Sequence, residues 1–166
     1  MPTKVLTMPA PNEKQALALA ERHRYVGYGG ARGGGKSWFV RWKAVLLCLR
    51  YPGIKVLITR RTYKELFNNH IAPLMQLLAG VAEYRSVDKL FRFPGGSTIH
   101  FGYCACDGDL GQYQGAEYDV VFLDEAGQLR KSWIEASNAC VRGADGVPRR
   151  SYYTQNTGGA TPGDCA

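Results

Sequence analysis

Cysteine is scarce in this chain and wrongly spaced for a metal. The five residues, Cys48, Cys104, Cys106, Cys140 and Cys165, are odd in number and show no paired C-x2-C spacing of the zinc type. Cys104 and Cys106 have one residue between them and no second pair, so reduced, structural thiols are expected. Long apolar runs are missing too. No stretch approaches the ~18 residues that span a bilayer, and the N-terminus lacks the basic-then-apolar layout of a secretion signal. An intracellular location is therefore expected. Acidic residues are in the minority, 14 Asp and Glu against 21 Lys and Arg, which gives +7 and a pI near 9.3. That balance favours a polyanionic partner, nucleic acid above all, with a solvated basic surface as the alternative. The three histidines, His23, His70 and His100, read as packed or surface side chains rather than ligands.

Glycine, by contrast, is abundant and concentrated. Gly30-Ala31-Arg32-Gly33-Gly34-Gly35-Lys36-Ser37 matches the phosphate-loop pattern GxxxxGK[ST] at every fixed position. Glycines let the backbone curl so that several N–H groups converge on a polyphosphate. Lys36 can then reach the β- and γ-phosphates, and the Ser37 hydroxyl can hold Mg²⁺. The following helix turns its positive end to the same anion. A flexible linker would not be flanked by an apolar strand and an amphipathic helix, and this loop is.

At 166 residues, 45% hydrophobic and 21% charged, the chain reads as one globular domain. Residues 1–11 form an extended lead-in. Asn12 caps a helix running to about His23, with Gln15 completing a capping box by spacing. Arg24–Gly29 is a strand into the loop. Ser37–Arg50 is a helix with Phe39, Val40, Ala44, Leu47 and Cys48 buried and Arg41, Lys43 and Arg50 facing elsewhere. Ile54–Ile58 is a buried strand, closing a βαβ unit. Arg60 and Arg61, at the end of that strand, are either ligand-binding or solvated. A helix follows to about Leu78, which Pro73 must kink or divide. Val81–Val87, Leu90–Phe93 and Ser97–Tyr103 alternate as a β-hairpin or small antiparallel extension at the sheet edge. Asp107–Gly111 is a polar loop.

The second strong signal is Tyr118–Glu125, where four apolar residues run into Asp124 and Glu125. A strand buried on both faces that delivers carboxylates at its carboxyl end suits a Walker B element. Asp124 would hold Mg²⁺, and Glu125 would orient and deprotonate the attacking water. The alternative is a strand that ends in a helix-capping pair. Gln128–Cys140 is helical, with Trp133, Ile134 and Ala136 inward. Arg149–Gln155 is a strand ending in Thr154-Gln155-Asn156, where polar groups could sense a γ-phosphate. Gly158–Ala166 carries no core pattern.

Taken together, Pro11-Asn-x-x-Gln15, Gly29–Ser37, Leu57–Thr62, Gln114-Gly115, Val120–Ala126 and Tyr153–Gly159 resemble, in order, the motifs of the ATPase domain of tailed-phage terminase large subunits. The resemblance implies an α/β fold of the P-loop, additional-strand, RecA-like type: a three-layer sandwich with a mostly parallel sheet and a β-hairpin extension. It places the ATPase domain at 12–159 and a frayed tail at 160–166. It implies a viral genome-packaging motor using ATP and Mg²⁺. Nucleotide would be held by Gln15 (against adenine), Gly30, Ala31, Arg32, Gly33, Gly34, Gly35, Lys36, Ser37 and Trp38, and the metal by Ser37 and Asp124. Glu125, Lys36 and Arg32 would be catalytic, and Thr154 and Asn156 would couple hydrolysis to movement. Implied partners are double-stranded DNA, the portal protein, the small terminase subunit, a separate or missing nuclease domain, and further copies in a five-fold ring, in the host cytoplasm. The chain departs from the family pattern at Thr157, where proline is usual, and at Gln114, where some relatives carry an arginine finger. Arg32, Arg60 and Arg142 are then the finger candidates. Rival readings are a recombination- or helicase-type ATPase and a nucleotide-binding module with little activity.

Overall fold

A computed structural model of the chain describes residues 5–30, 35–103, 115–142 and 146–156. Cys104, Cys106, Cys165, the Asp107–Gly111 loop and the tail from Thr157 lie outside these residues. Among the described residues seven strands form one sheet: β1 (Tyr25–Gly30), β2 (Lys55–Arg60), β3 (Glu83–Arg85), β4 (Leu90–Arg92), β5 (Thr98–Tyr103), β6 (Val120–Leu123) and β7 (Arg150–Asn156). Their order across the sheet is β1-β7-β6-β2-β5-β4-β3. The pairs from β1 to β5 are all parallel, and β4 and β3 add an antiparallel edge. The expected mostly parallel α/β sheet is thus observed. Ser97–Tyr103, however, belongs only half to the hairpin. Its strand β5 pairs parallel with β2 on one side and antiparallel with β4 on the other. The residues explain this: Ile99 and Phe101 are buried, as a strand inside the sheet must be.

Helix α2 (Lys36–Arg50) connects β1 to β2, yet these two strands are not neighbours, since β7 and β6 lie between them. Three strand spacings measure about 14 Å, and a helix of 15 residues is about 22 Å long, so the crossover fits. Side chains alternate between the two faces as the pleat requires. Phe122, Tyr152, Val56 and Ile58 pack under α2, while Val121, Leu123 and Leu57 pack under α5 (Lys131–Ala139) with Trp133. Phe39 of α2 anchors the first face, stacked on Tyr28 at 5.2 Å and edge-on to Tyr152 at 5.8 Å. Aromatic pairs of this geometry contribute about 0.5–1.5 kcal/mol each beyond area burial. They fix the start of α2 against the carboxyl ends of β1, β7 and β6.

Three helix boundaries depart from the sequence expectation. α1 (Glu13–Ala20) ends three residues early, because Glu21 turns to an extended conformation. The helix after β2 is split into α3 (Tyr63–Leu66), a π-turn (Phe67–Ile71) and α4 (Ala72–Leu77), with Pro73 in the first turn of α4. The segment after Glu125 is a 3-10 turn (Ala126–Gln128) followed by α5, which starts only at Lys131. Lys43 is also not on an outer face. It is buried between α2 and α1, its Nζ donating to the Leu19 carbonyl at 2.6 Å. A long aliphatic stem can lie in a helix interface if its ammonium finds an orphan carbonyl at a helix end.

Candidate nucleotide site

The carboxyl ends of the parallel strands gather most of the singled-out residues along one edge. Gly30 pairs in register with Asn156, and Leu123 pairs with Tyr153, so β7 sits between the phosphate loop and the carboxylates. Asp124 and Glu125 are therefore one strand removed from β1, not adjacent to it. Ligands of open α/β sheets bind at this edge.

At the β1 end, Gly35 has φ 78° and starts α2. A Cβ there would collide with the Gln15 side-chain amide, and the left-handed backbone itself favours glycine. Glycine also offers no side chain to cap the amides of the first turn of α2, which leaves that turn suited to an anion. Lys36 is buried and its Nζ donates to the Gly30 carbonyl at 3.1 Å. Ser37 is half-buried beside it in the same first turn. Trp38 is half-buried, its ring 6.3 Å from that of Trp42. Ala31, Arg32, Gly33 and Gly34 lie outside the described residues, as does Gln114.

Gln15 makes the capping box that its spacing suggests. Its backbone N–H donates to Asn12 Oδ1 at 2.7 Å, and its Oε1 accepts from the Asn12 N–H at 2.9 Å. The same amide reaches the phosphate loop, with Nε2 donating to the Gly35 carbonyl at 3.3 Å. Lys14, which the sequence pattern did not single out, donates to the Gly29 carbonyl and lies over the Tyr28 ring. Helix α1 is thereby tied to the loop at two points.

At the β6 end, Asp124 is 1% exposed and is not a helix cap. Its Oδ2 accepts from His70 Nε2 at 2.7 Å and from Arg60 Nη1 at 3.4 Å, and its Oδ1 accepts from the Thr154 hydroxyl. Burial alone would raise its pKa. The His70 and Thr154 hydrogen bonds and the Arg60 charge outweigh that and lower it to about 2. Thr154, fully buried, also accepts from the Glu125 N–H at 3.1 Å, so one hydroxyl ties both acids to β7. Glu125 holds φ 54°, ψ 53°, the left-handed region, without being glycine. Such a conformation costs about 1–3 kcal/mol and collects at functional positions.

His70 and Arg60 change status here. His70 is packed, as expected, but against the carboxylate of the site and not within an apolar core. Arg60 is buried, bonded to Asp124 and 3.9 Å from Glu65, whereas Arg61 is exposed. Arg142 is exposed and pairs by its backbone with Tyr118, at the amino end of β6 and opposite the site. No sequence signal places His70 at Asp124, because 54 residues separate them and only the helix packing joins them.

The donor set suits Mg²⁺ held jointly with phosphate. Among the described residues no group of three or more His, Cys, Asp and Glu forms a metal cage. Mg²⁺ in nucleotide sites is held by one or two protein oxygens and the phosphates themselves. Asp124, ionised throughout the physiological range and with one Oδ1 acceptor position left, meets that need.

Residues 28–160 match the family model described as terminase large subunit, T4likevirus-type, N-terminal. No curated protein matches the chain. The large terminase of a thermophilic bacteriophage superposes with a TM-score of 0.72 at 16% identity, over 86% of this chain and 38% of that one. It has also been solved with ADP and with ATP-γ-S. The large terminase of bacteriophage HK97 gives 0.70 at 16% identity over 95% of this chain and 35% of that one. The ATPase domain of a Thermus phage large terminase gives 0.67 at 21% identity, covering 88% and 64%. This chain thus spans roughly a third to two-thirds of the length of these structures. At these identities the likeness establishes the fold, a mixed α/β sandwich of the P-loop, RecA-like type.

Proposed function

The chain belongs to the terminase large-subunit family, and we propose that it is the ATP-hydrolysing motor domain of a phage DNA-packaging machine. The observation that carries this reading is the Thr154 hydroxyl, which joins Asp124, Glu125 and the strand paired with the phosphate-loop strand. A site that only held nucleotide would not need a second, strained acid beside the metal ligand.

In this reading the first-turn amides of α2, Lys36 and the loop glycines would bind the phosphates, and Ser37 and Asp124 would hold Mg²⁺. Bound there, Mg²⁺ would supply neutralisation of the phosphate charge. Glu125 accepts the proton of the attacking water, placed by its fixed backbone angle. Thr154 and Asn156 carry the change at the γ-phosphate along β7. Gln15 meets adenine once its bond to Gly35 opens. Arg32, which the phosphate-loop motif carries, is the finger candidate within the same chain. Arg60 is occupied by Asp124, and Arg142 could serve only a neighbouring copy.

Double-stranded DNA, gripped through phosphates without base readout, is the proposed cargo. The portal protein and small terminase subunit are proposed partners, with a ring of about five copies working in the host cytoplasm and the nuclease function in a separate region. ATP turnover measured with double-stranded DNA plus portal, and separately with single-stranded DNA, tests this. Stimulation by the first mixture is expected. Stimulation only by single-stranded DNA would favour a helicase or recombination ATPase, and turnover absent under all conditions a nucleotide-binding module.

A further inference from the structure

His70 belongs to neither motif, yet it is fully buried and makes the shortest described nitrogen contact to Asp124. Its placement follows from Pro73. Proline has no N–H and its ring crowds the carbonyl four residues back, which is Asn69. The helix answers by widening to a π-turn over Phe67–Ile71, with the Ala72 N–H bonding to the Phe67 carbonyl. The Asn69 carbonyl accepts from Arg41 Nη1 of α2 instead. In the widened turn both His70 and Ile71 are fully buried, and His70 faces the end of β6. Single π-turns inside helices are frequent at functional sites.

The contacts on Asp124 define what His70 does there. A carboxylate has about four acceptor positions. Oδ2 is engaged twice, by His70 at 2.7 Å and Arg60 at 3.4 Å, and Oδ1 once, by Thr154. The ionised carboxylate can only accept, so Nε2 carries the hydrogen, while Nδ1 has no described partner. Arg60 is the weaker tether, being longer and shared with Glu65.

We propose that His70 is a positioning residue for Asp124: it holds Oδ2 so that Oδ1, the oxygen bonded to Thr154, is the one offered to Mg²⁺·nucleotide. Arg41 keeps the π-turn, and hence His70, at a fixed distance from the phosphate-loop helix. The inference rests on the assignment of Asp124 to the metal, and the test separates the two.

The experiment follows binding of a fluorescent ATP analogue to the full chain as Mg²⁺ is titrated, with an EDTA control and a thermal melt for each variant. Partners that orient metal ligands typically contribute ~10–100-fold to metal affinity. His70→Leu should raise the Mg²⁺ concentration for half-maximal effect by ~10-fold or more while binding in EDTA stays unchanged. His70→Gln, whose amide nitrogen can donate where Nε2 does, should restore the wild-type requirement, and the shorter His70→Asn should not. Should the leucine variant fail to fold, the glutamine and asparagine pair carries the test. Asp124→Asn should shift the Mg²⁺ requirement at least as far. If Asp124→Asn shifts it and folded His70→Leu or His70→Asn does not, His70 has no positioning role. If Asp124→Asn leaves it unchanged, the metal assignment falls and the His70 proposal with it.

Discussion

Thr154 is the residue on which the two acids depend. Its hydroxyl donates to Asp124 and accepts from the Glu125 amide, so Thr154→Val removes two bonds at once and leaves buried groups unpaired. Turnover should drop at least ~10-fold, since a misplaced base loses that much for a small displacement, while Thr154→Ser keeps most of it. Steady-state ATPase assays on the two variants check this. Asp124 also sets an acid limit. Its folded pKa of about 2 lies below the ordinary 3.8, so the unfolded chain binds more protons between those values and stability rises with pH across them. The contribution, about 2 kcal/mol for a shift of this size, is present above pH ~4 and lost as pH falls through ~2. Denaturant midpoints between pH 2 and 5 should be flatter in Asp124→Asn than in the wild type.

At the scale of elements, α1 and α2 are joined by a buried ammonium. Burial, with the nearby Arg150 and Arg22 charges, lowers the Lys43 pKa to about 8 from 10.5. The unfolded chain then holds the extra proton between those values, so this group makes stability rise from pH ~8 to ~10.5. Lys43→Met should abolish that rise, measured as the difference between wild-type and variant urea midpoints at pH 7.5 and pH 9.5. Its burial was not legible in the sequence because the apolar stripe of α2 is satisfied without it; only the orphan carbonyl of Leu19 draws it inward. What periodicity did convey was local. The phosphate-loop helix, the buried face of Phe39, Val40, Ala44, Leu47 and Cys48, and the apolar run of β6 all stand as read. The division at Pro73 was legible as a break, but not as a π-turn, since that depends on Arg41 taking the Asn69 carbonyl. The parallel pairing of β5 was hidden for a similar reason. A run of Thr98-Ile-His-Phe looks the same in a hairpin as inside a sheet, and the partner strand β2 is distant in sequence.

For the whole molecule, topology brings two separate sequence motifs to the same edge of the sheet. The crossover of α2 over β7 and β6 brings Gly30, Thr154 and Asp124 to one edge, although they are spread over most of the chain. The candidate residues at the loop and at β6 could be singled out because each set lies in one short run of sequence. His70 and Lys14 were not, because each is placed by tertiary contact alone, and Arg60 stood out as a candidate without its partner Asp124 being legible. In phosphoryl-transfer enzymes an arginine supplied in trans contributes roughly 10³–10⁵ in rate, so the isolated domain should turn ATP over slowly. The most direct test of the central claim is ATP hydrolysis and ATP binding by Glu125→Gln, measured side by side with the wild type under activating conditions. Loss of turnover with nucleotide affinity retained is the predicted result; full turnover in that variant would contradict the account.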